Sequence, residues 1–532
     1  MRKHFILLIV SFIYSSVIFA QRNAVLIIAD DIGTDYFGFY EDAGDTVDLP
    51  NIRAMLAKGV RFKNAMSNPV CSSTRAGMLT GRYSFRTGVG NIVGSTAGSG
   101  TLDTAELTLP RLLTNFNSNI VSANIGKWHL HNPNPVGNLL FPNVLGYAHF
   151  EGPFIGALPS YTNWTKYVNG TPTTVTNYAT SENVNNAVSW LKTIPVNHPF
   201  FLWLAFNAPH SPFHLPPLNL NSYTTLSGTA QHIQQNPKLY FKAALQALDT
   251  EIGRLFDSLQ VLNKLDSTDF IFVGDNGNAT ATAQIANLNR AKGTVYQYGV
   301  HVPLIIAGPS VSNPGRVSDA LVNTHDIFAT VIELMGDTTW KNTIPVNKPV
   351  DSKSMLPILK NQVDSIRPWS FCEMFKNTPD ADDAKAIRNK SHKLIRFDAG
   401  GEEFYHLQND PDELTNLLGS ALNFIDSTNY LYLCTEMNNL LGNSTSCNFG
   451  TGITENLSDG DFYVYPNPAG NYVSIKCKFP ITQVQLFNAQ GDLIDGIQSF
   501  ETIDFSDIPS GLYFIQAFSN TKLFKTKIIH LN

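Results

Sequence analysis

The chain has 532 residues, of which 43% are hydrophobic and 15% are charged. This composition is typical of a well-packed globular protein and excludes a disordered one. Its 43 acidic residues outnumber the 37 basic ones, and the formal net charge is −6. This charge balance gives no sign of a polyanion-binding surface, so we expect no nucleic acid among the partners, while the length allows several domains.

The N-terminus has the layout of a secretory signal peptide. Three polar residues, Arg2 to His4, precede the apolar run 5–19, which ends at Ala20. The run is too short to span a membrane comfortably, and no later segment reaches the length of a transmembrane helix. The sequence predicts a signal peptide over residues 1–20 and an exported protein with no transmembrane segment.

Apolar runs alternate with helical patterns from Asn23 to about Gly336. Five runs fit strands buried on both faces of a mainly parallel sheet: 24–29, 119–126, 200–206, 269–274 and 302–308. Helical patterns occupy 51–59, 182–194 and 239–260. The alternation predicts a large α/β domain whose helices cover the sheet.

Smaller units follow this domain. Residues 349–442 contain hairpin-like strands followed by a short helix, and the stretch after them is rich in Gly, Ser, Thr and Asn. The last seventy or so residues alternate apolar and polar positions between turns, as in an all-β module. We predict a main domain over 21–340, an α+β subdomain over 341–441, a linker over 442–460 and a β-sandwich over 461–532.

Polar residues directly follow two of the predicted strands. Asp30 and Asp31 follow the first strand, and Asp275 and Asn276 follow the fourth. Ligands of open α/β sheets bind at the carboxyl ends of the strands. Because these side chains offer only hard oxygen ligands, they suit Ca²⁺ or Mg²⁺ better than zinc.

The cysteines raise a separate question. The chain has five, which leaves at least one unpaired: Cys71, Cys372, Cys434, Cys447 and Cys477. Cys434 and Cys447 are close enough in sequence to form a disulfide. Cys71 stands in "NPVCSSTRAGMLTGR", where it is half of a disulfide, a buried small hydrophobe or a reactive centre.

The residues after Cys71 favour a reactive centre. A helix is predicted from Ser72 onward, with Gly81 placed to end it. Cys71 then lies at the positive N-terminal end of the helix, and Arg75 lies on the same face one turn away. Such an arrangement suits an anionic tetrahedral substrate, such as a sulfate or a phosphate.

This stretch resembles the signature of type I sulfatases, which belong to the alkaline phosphatase superfamily. Six other stretches follow in the family's order: "LIIADDIG", "IGKWHL", "NAPHSP", "GDNG", "KGTVYQYGVHVPLIIAGP" and "FYHLQNDPDELTNLL". The resemblance spans roughly residues 23–420. It implies an alkaline-phosphatase-like fold, one calcium ion, and oxidation of Cys71 to a nucleophilic formylglycine by a formylglycine-generating or sulfatase-maturating enzyme.

Carried over residue by residue, the resemblance implies two sets of site residues. The calcium ligands are Asp30, Asp31, Cys71, Asp275 and Asn276. The catalytic residues are Cys71, Arg75, Lys127, His129, His210 and Lys292. In these roles Arg75 steadies the nucleophile, and Lys127 and His129 of "GKWH" lie beside it. His210 and Lys292 contact the sulfate and the leaving oxygen.

The sequence departs from the family's pattern at four positions. Ser73 stands where the maturating enzymes usually read Pro or Ala. Gln297, Tyr298 and His301 replace the usual Glu, Gly and Arg after Lys292. We therefore keep open two alternatives to a sulfatase: a formylglycine-dependent phosphonate or phosphodiester hydrolase, and a non-catalytic carbohydrate-binding homologue in which Cys71 is not matured.

The terminal module resembles a different family, the C-terminal sorting domain of type IX secretion. "YPNPAGNYVSI", "SGLYFIQ" and "KTKIIHLN" carry this likeness, against the alternative of a generic β-sandwich binding module. The two resemblances together imply a sulfatase that is secreted or attached to the cell surface by the type IX machinery. Its substrates would be aryl sulfates or sulfated polysaccharide fragments. The loops at 93–104 and 132–180, where we expect the substrate pocket, do not specify which sugar is bound.

Overall fold

The computed structural model describes residues 22–94, 100–420, 422–443, 445, 447, 462–489, 492–497, 501–519 and 523–531. The predicted signal peptide and most of the predicted linker lie outside the described residues. None of the described helices combines the length and the apolar character needed to cross a membrane.

Ten strands form the central sheet: β1 Asn23–Ala29, β2 Gly59–Met66, β3 Val121–Gly126, β4 His149–Gly152, β5 Trp164–Val168, β6 Thr171–Val175, β7 Phe200–Ala205, β8 Thr268–Gly274, β9 Leu304–Ala307 and β10 Arg316–Asn323. Their order is β10-β2-β9-β8-β1-β7-β3-β4-β5-β6. Strands β8, β1, β7, β3 and β4 run parallel to one another, as β2 and β10 do. A large, mostly parallel sheet is thus confirmed.

The run 302–308 departs from the expected direction. Its strand, β9, pairs antiparallel with both β8 and β2. A parallel return needs a crossover connection, usually a helix. The only α-helix in the 275–303 connection has four residues, so the chain re-enters the sheet in the opposite direction.

Helices cover both faces of the sheet. The described α-helices are α1 Pro50–Ala57, α2 Cys71–Thr80, α3 Ser84–Thr87, α4 Leu109–Phe116, α5 Phe141–Val144, α6 Ala179–Thr193, α7 Ala230–Gln235, α8 Pro237–Val261, α9 Gln297–Val300, α10 Asp326–Leu334, α11 Leu356–Leu359 and α12 Phe424–Leu441, of which the last packs on the smaller sheet described below. Side chains of a strand alternate between faces, so Leu26 of β1 packs in the cluster of α2, α4 and α10, and Ile27 packs in that of α6 and α8. This two-sided burial explains why β1 is apolar throughout.

Two further groups of strands follow. The antiparallel sheet of the C-terminal subdomain contains β11 Ser370–Met374, β12 Ala384–Arg388, β13 His392–Phe397 and β14 Glu402–His406. The short helix predicted after the hairpin strands is only a 3₁₀ helix of three residues, Leu417–Gly419, and the 18-residue helix α12, which the sequence did not predict, follows it. A Cys434–Cys447 disulfide joins α12 to the chain that follows.

The terminal module is all-β, as predicted. It contains β15 Phe462–Tyr465, β16 Tyr472–Cys477, β17 Ile481–Asn488, β18 Leu493–Ile497, β19 Thr502–Asp504, β20 Gly511–Ser519 and β21 Leu523–His530. These strands form one three-stranded and one four-stranded sheet. The predicted domain boundaries themselves remain a prediction.

Helix α2 begins at Cys71, one residue before the predicted start, and ends at Gly81 as expected. Gly81 has a φ of 70°, in the left-handed region that favours glycine. A Cβ at this position would lie 2.6 Å from Cδ1 of Phe328 and 2.9 Å from Cγ1 of Val350. The glycine therefore ends the helix and also permits close packing against its neighbours.

We expect Gly81→Ala to lower the free energy of unfolding by about 2–4 kcal/mol. The left-handed backbone contributes about 1–2 kcal/mol of this loss, and overpacking contributes most of the rest. Gly88→Ala is the matched control, because Gly88 ends α3 with a φ of 74° and a Cβ added there would have nothing within 4 Å. Urea denaturation of both variants measures the difference, and equal losses would contradict the packing argument.

Candidate active site

Three strands of the parallel part of the sheet deliver polar residues to one edge of the sheet. Asp30 and Asp31 follow β1, Asp275 follows β8, and Lys127 follows β3. The main chain keeps these ends in register, because the amide of Asp275 donates to Ala29 (3.1 Å) and that of Lys127 donates to the last residue of β7 (2.8 Å). The structure thus brings together residues that are distant in sequence, since Asn276 donates to Asp31 from 245 positions away.

Cys71 is the first residue of the fully buried helix α2 and is 2% exposed. Its Sγ lies 3.2 Å from Nδ1 of His129. The other ring nitrogen, Nε2, lies 3.2 Å from the carbonyl oxygen of Val93, which can only accept a hydrogen bond. Nε2 therefore carries the proton in neutral His129, and the lone pair of Nδ1 faces position 71.

Burial lowers the pKa of His129 well below its usual range, and the charges of Lys127 and Arg75 lower it further. The imidazole is thus held neutral at physiological pH. A neutral ring with Nδ1 unprotonated is a proton acceptor toward whatever group occupies position 71.

Ion pairs join three buried carboxylates to three cations. They are Arg75–Asp275 (2.8 Å), Lys127–Asp30 (2.5 Å) and Lys292–Asp31. A fourth contact places Nε2 of His210 3.5 Å from Oδ2 of Asp31. The charges of the three ion pairs cancel formally. A divalent cation and a doubly charged anionic group can therefore bind together without adding much net charge to the buried site.

The pKa values follow these pairs. Burial would raise the pKa of Asp31, but Lys292 and His210 hold it well below its usual range. Burial, together with the charge of Asp30, raises the pKa of Asp275 to about 6. Two carboxyls of one cluster are thus shifted in opposite directions, as happens where charges are packed at a reaction centre.

Two oxygen atoms of this cluster fit a bound cation. Oδ1 of Asp30 and Oδ1 of Asn276 are buried without a hydrogen-bond partner among the described residues. Ligand atoms of Asp30, Cys71 and Asp275 lie within 4.8 Å of one another, as do those of Asp30, Asp31 and His210. The donors are mainly oxygens, which suits Ca²⁺ or Mg²⁺, so the residues present fit the expected ion.

Lys292 is fixed by the main chain at the same site. Its amide donates to the carbonyl oxygen of Asn278, and the next amide, of Gly293, donates to that of Pro69 (both 3.0 Å). The Lys292 residue therefore lies between the segment after β8 and the segment before α2. All the site residues predicted from the sequence are gathered here, although their roles remain predictions.

The residues that depart from the family pattern bond to other parts of the chain. The amide oxygen of Gln297 accepts a hydrogen bond from Arg388 (3.0 Å). The hydroxyl of Tyr298 donates to Asp35. His301 lies 3.1 Å from Asp42 and 2.7 Å from a main-chain carbonyl. These three side chains therefore join the loop that follows Lys292 to other parts of the chain.

Sequence reasoning missed two features of the site. Asn278 donates to Asp35 and accepts from the amide of Gly33. These bonds join the segment after β1 to the segment after β8. The position of Asn278, two residues after Asn276, was a signal for this role. Gly156 packs on the His129 ring, since a Cβ there would lie 2.3 Å from Cε1, and no pattern in the sequence indicates it.

Three family models match the chain. The Sulfatase model matches residues 22–337, the model for the C-terminal part of N-sulphoglucosamine sulphohydrolase matches 290–442, and the secretion system C-terminal sorting domain matches 463–531. The last match identifies the terminal module as a type IX sorting domain and indicates secretion or attachment to the cell surface.

Known proteins are similar over most of the chain. N-acetylgalactosamine-6-sulfatase of Homo sapiens is 29% identical over 63% of this chain and 65% of its own length. Arylsulfatase of Clostridium perfringens is 25% identical over 75% of this chain and 91% of its own. The chain thus spans less than two thirds of the human protein.

A solved structure shares the fold. The structure of Ps i-CgsB in complex with k-i-k-neocarrahexaose superposes with a TM-score of 0.65 at 23% identity, and the match covers 79% of this chain and 92% of the other. The structure of PsFucS1 sulfatase from Pseudoalteromonas sp. superposes as well, with a TM-score of 0.61 at 19% identity over 79% of this chain and 90% of the other, so the large sheet with its helical layers is a fold found in sulfatases.

Calcium should stabilise the protein through the strand-end residues. At a calcium concentration about 100 times the Kd, a single site stabilises the folded state by about 2.7 kcal/mol. We expect calcium to raise the melting temperature of EDTA-treated protein and to have a much smaller effect on Asp31→Asn. Asp269→Asn is the matched control, because Asp269 is also buried in β8 but at its opposite end, bonded to Ser310. An equal calcium shift in Asp31→Asn would show that the ion binds elsewhere.

Proposed function

Because the chain belongs to the sulfatase family, we propose that it hydrolyses sulfate esters with a formylglycine made from Cys71 and a calcium ion. The observation that best supports this is the lone pair of His129 Nδ1, which faces Cys71 at 3.2 Å among three cationic side chains. A thiol kept only for packing needs no neighbouring proton acceptor and no cations.

The chain's own side chains bind and orient the sulfate group. Lys127 and Arg75 are fully buried. Lys292 belongs to the same cluster, and its side chain is 14% exposed. Fixed cations in a water-poor site stabilise charge that develops on the sulfate oxygens, each by about 10²–10³ in rate. Asp30, Asp31, Asp275 and Asn276 would hold the calcium ion, which supplies further positive charge. A hydrated formylglycine at position 71 would supply the hydroxyl nucleophile.

Two histidines divide the proton transfers. Nδ1 of His210 lies 2.6 Å from the carbonyl oxygen of Ser211, so Nδ1 is the donor in that bond and Nε2 is left to face the site. Protonated at Nε2, His210 can give a proton to the leaving alcohol oxygen. His129 is aimed instead at position 71, where Nδ1 can take a proton from the hydroxyl of the enzyme. Each transfer is worth about 10²–10⁴ in rate.

We propose a sulfated carbohydrate as the substrate class. The human relative is named for a sulfated N-acetylgalactosamine, and Ps i-CgsB was solved in complex with k-i-k-neocarrahexaose. The sorting domain places the chain outside the cell, where such polymers are met. Side-by-side assays of aryl sulfate, aryl phosphate diester and aryl phosphonate test the choice, and faster turnover of a phosphorus ester would favour the alternative hydrolase.

Maturation of Cys71 can be measured directly by mass spectrometry of its tryptic peptide. In protein co-expressed with a sulfatase-maturating enzyme, we expect a lighter peptide. Conversion of cysteine to formylglycine removes H₂S and adds one oxygen atom. Ser73→Ala restores a residue that these enzymes usually read and should raise the converted fraction. The Cys372 peptide is the internal control, since this buried cysteine lies outside the motif. Cysteine alone at position 71 in both proteins, with no turnover, would support the non-catalytic alternative.

The role of His210 should depend on the leaving group. A nitrophenolate leaves with little protonation, whereas a sugar alkoxide needs a proton because the pKa of its alcohol is several units higher. We expect His210→Ala to slow sugar sulfates by about 10²–10⁴ more than nitrophenyl sulfate. His214→Ala is the matched control, because His214 stacks on Tyr161 in the same loop away from the charged cluster. Equal losses for both substrates in His210→Ala would remove His210 as the acid.

A further inference from the structure

The segment 288–301, here called the Lys292 segment, is held on two sides. Its inner side is bonded to the main chain of the site, as described above. Its outer side contacts the C-terminal subdomain, made of β11–β14, α12 and the turns between them. The sequence motif "FYHLQNDPDELTNLL" lies in that subdomain, and none of its residues takes part in the proposed chemistry.

Arg290 joins the Lys292 segment to the subdomain. Nη1 of Arg290 donates to the carbonyl oxygen of Glu413 and to that of the preceding residue (2.6 Å). The guanidinium also lies over the rings of Tyr296 (4.7 Å) and Tyr405 (5.5 Å). Both tyrosine hydroxyls donate to the same carboxylate oxygen of Glu403. Arg290 is thus bonded at its head and packed on both sides.

Glu413 holds the other end of the segment. It is 1% exposed and has a φ of 56°, a left-handed conformation that is strained for a non-glycine residue. Its Oε2 accepts the main-chain amide of Gln297, and its Oε1 lies 2.9 Å from Nζ of the buried Lys393. Carbonyl and carboxylate of this one residue therefore reach both sides of Lys292, and strained residues of this kind mark sites where geometry matters.

We propose that Arg290 and Glu413 are positioning residues that fix Lys292 against the sulfate-binding cluster, so that the C-terminal subdomain sets the geometry of the active site. The proposal rests on the proposed function of Lys292. Neither residue contacts the cluster itself. They act on Lys292 through the main chain of the Lys292 segment. Lys292 lies two residues after Arg290 and five before Gln297, whose amide Glu413 binds.

Arg290 is the residue to change, because it is half-buried, whereas Glu413→Gln would leave Lys393 buried without a counterion. We expect Arg290→Ala to lower kcat for a sulfate ester by about 10–10²-fold, since misplacement of about 1 Å has effects of this size. In a Lys292→Ala background the same change should cause no further loss of kcat, because both changes remove the same contribution, that of a correctly placed Lys292. Arg290→Lys, which lacks the planar fork, should recover only part of the rate.

Hydrogen exchange gives a readout that does not depend on turnover. In Arg290→Ala, amides of the Lys292 segment should exchange faster, while those of β1 and β8 stay unchanged. Arg396→Ala is the matched control, because Arg396 pairs with Glu402 and with Asn438 inside the subdomain and does not reach the segment. It should alter the melting temperature but neither kcat nor exchange in the segment.

The outcomes separate the two proposals. Additive losses of Arg290→Ala and Lys292→Ala would overturn the positioning role, and so would unchanged exchange in the segment. If the matured wild-type protein hydrolyses no sulfate ester, the proposed function fails. The exchange experiment then still decides whether Arg290 and Glu413 hold the segment.

Discussion

Three carboxylates buried at neighbouring strand ends are the constraint on which the rest of the site depends. An unpaired charge in the interior costs several kcal/mol, so each carboxylate needs a cation or a metal. Arg75 comes from α2, Lys127 from the end of β3 and Lys292 from the loop after β8. Bringing them to one point places the start of α2, and with it Cys71, over the edge of the sheet.

Local backbone geometry supports this arrangement. Asp31 and His129 both have positive φ values, 62° and 58°, directly after their strands. Such conformations are uncommon outside glycine and persist where the surroundings hold them. Here the ring of His129 is fixed by the carbonyl of Val93, by close packing of Gly156 and by Cys71. Orientation of the proton acceptor is thus built from main-chain groups.

The C-terminal subdomain contacts the segment that carries Lys292 through Glu413 and Arg388. Gln297 of that segment accepts a hydrogen bond from Arg388. Burial lowers the pKa of Arg388 to about 10 despite the charge of Glu413, so this cation is incompletely balanced by its surroundings. The subdomain also carries the disulfide Cys434–Cys447, which suits an oxidising environment outside the cell.

The amino-acid sequence alone predicted five strands of the large sheet, helix α2 to within one residue of its start and with its end at Gly81, and the polar residues at the strand ends. These features are local, because apolar runs, helix-ending glycines and strand ends are read within a few residues. The direction of β9, the proton position on His129 and the contact of Gly156 were decided only by the tertiary structure. So was the bond from Arg290 to Glu413, which joins residues 123 positions apart. No local pattern records such partners, because they depend on which distant surfaces the folded sheet brings into contact.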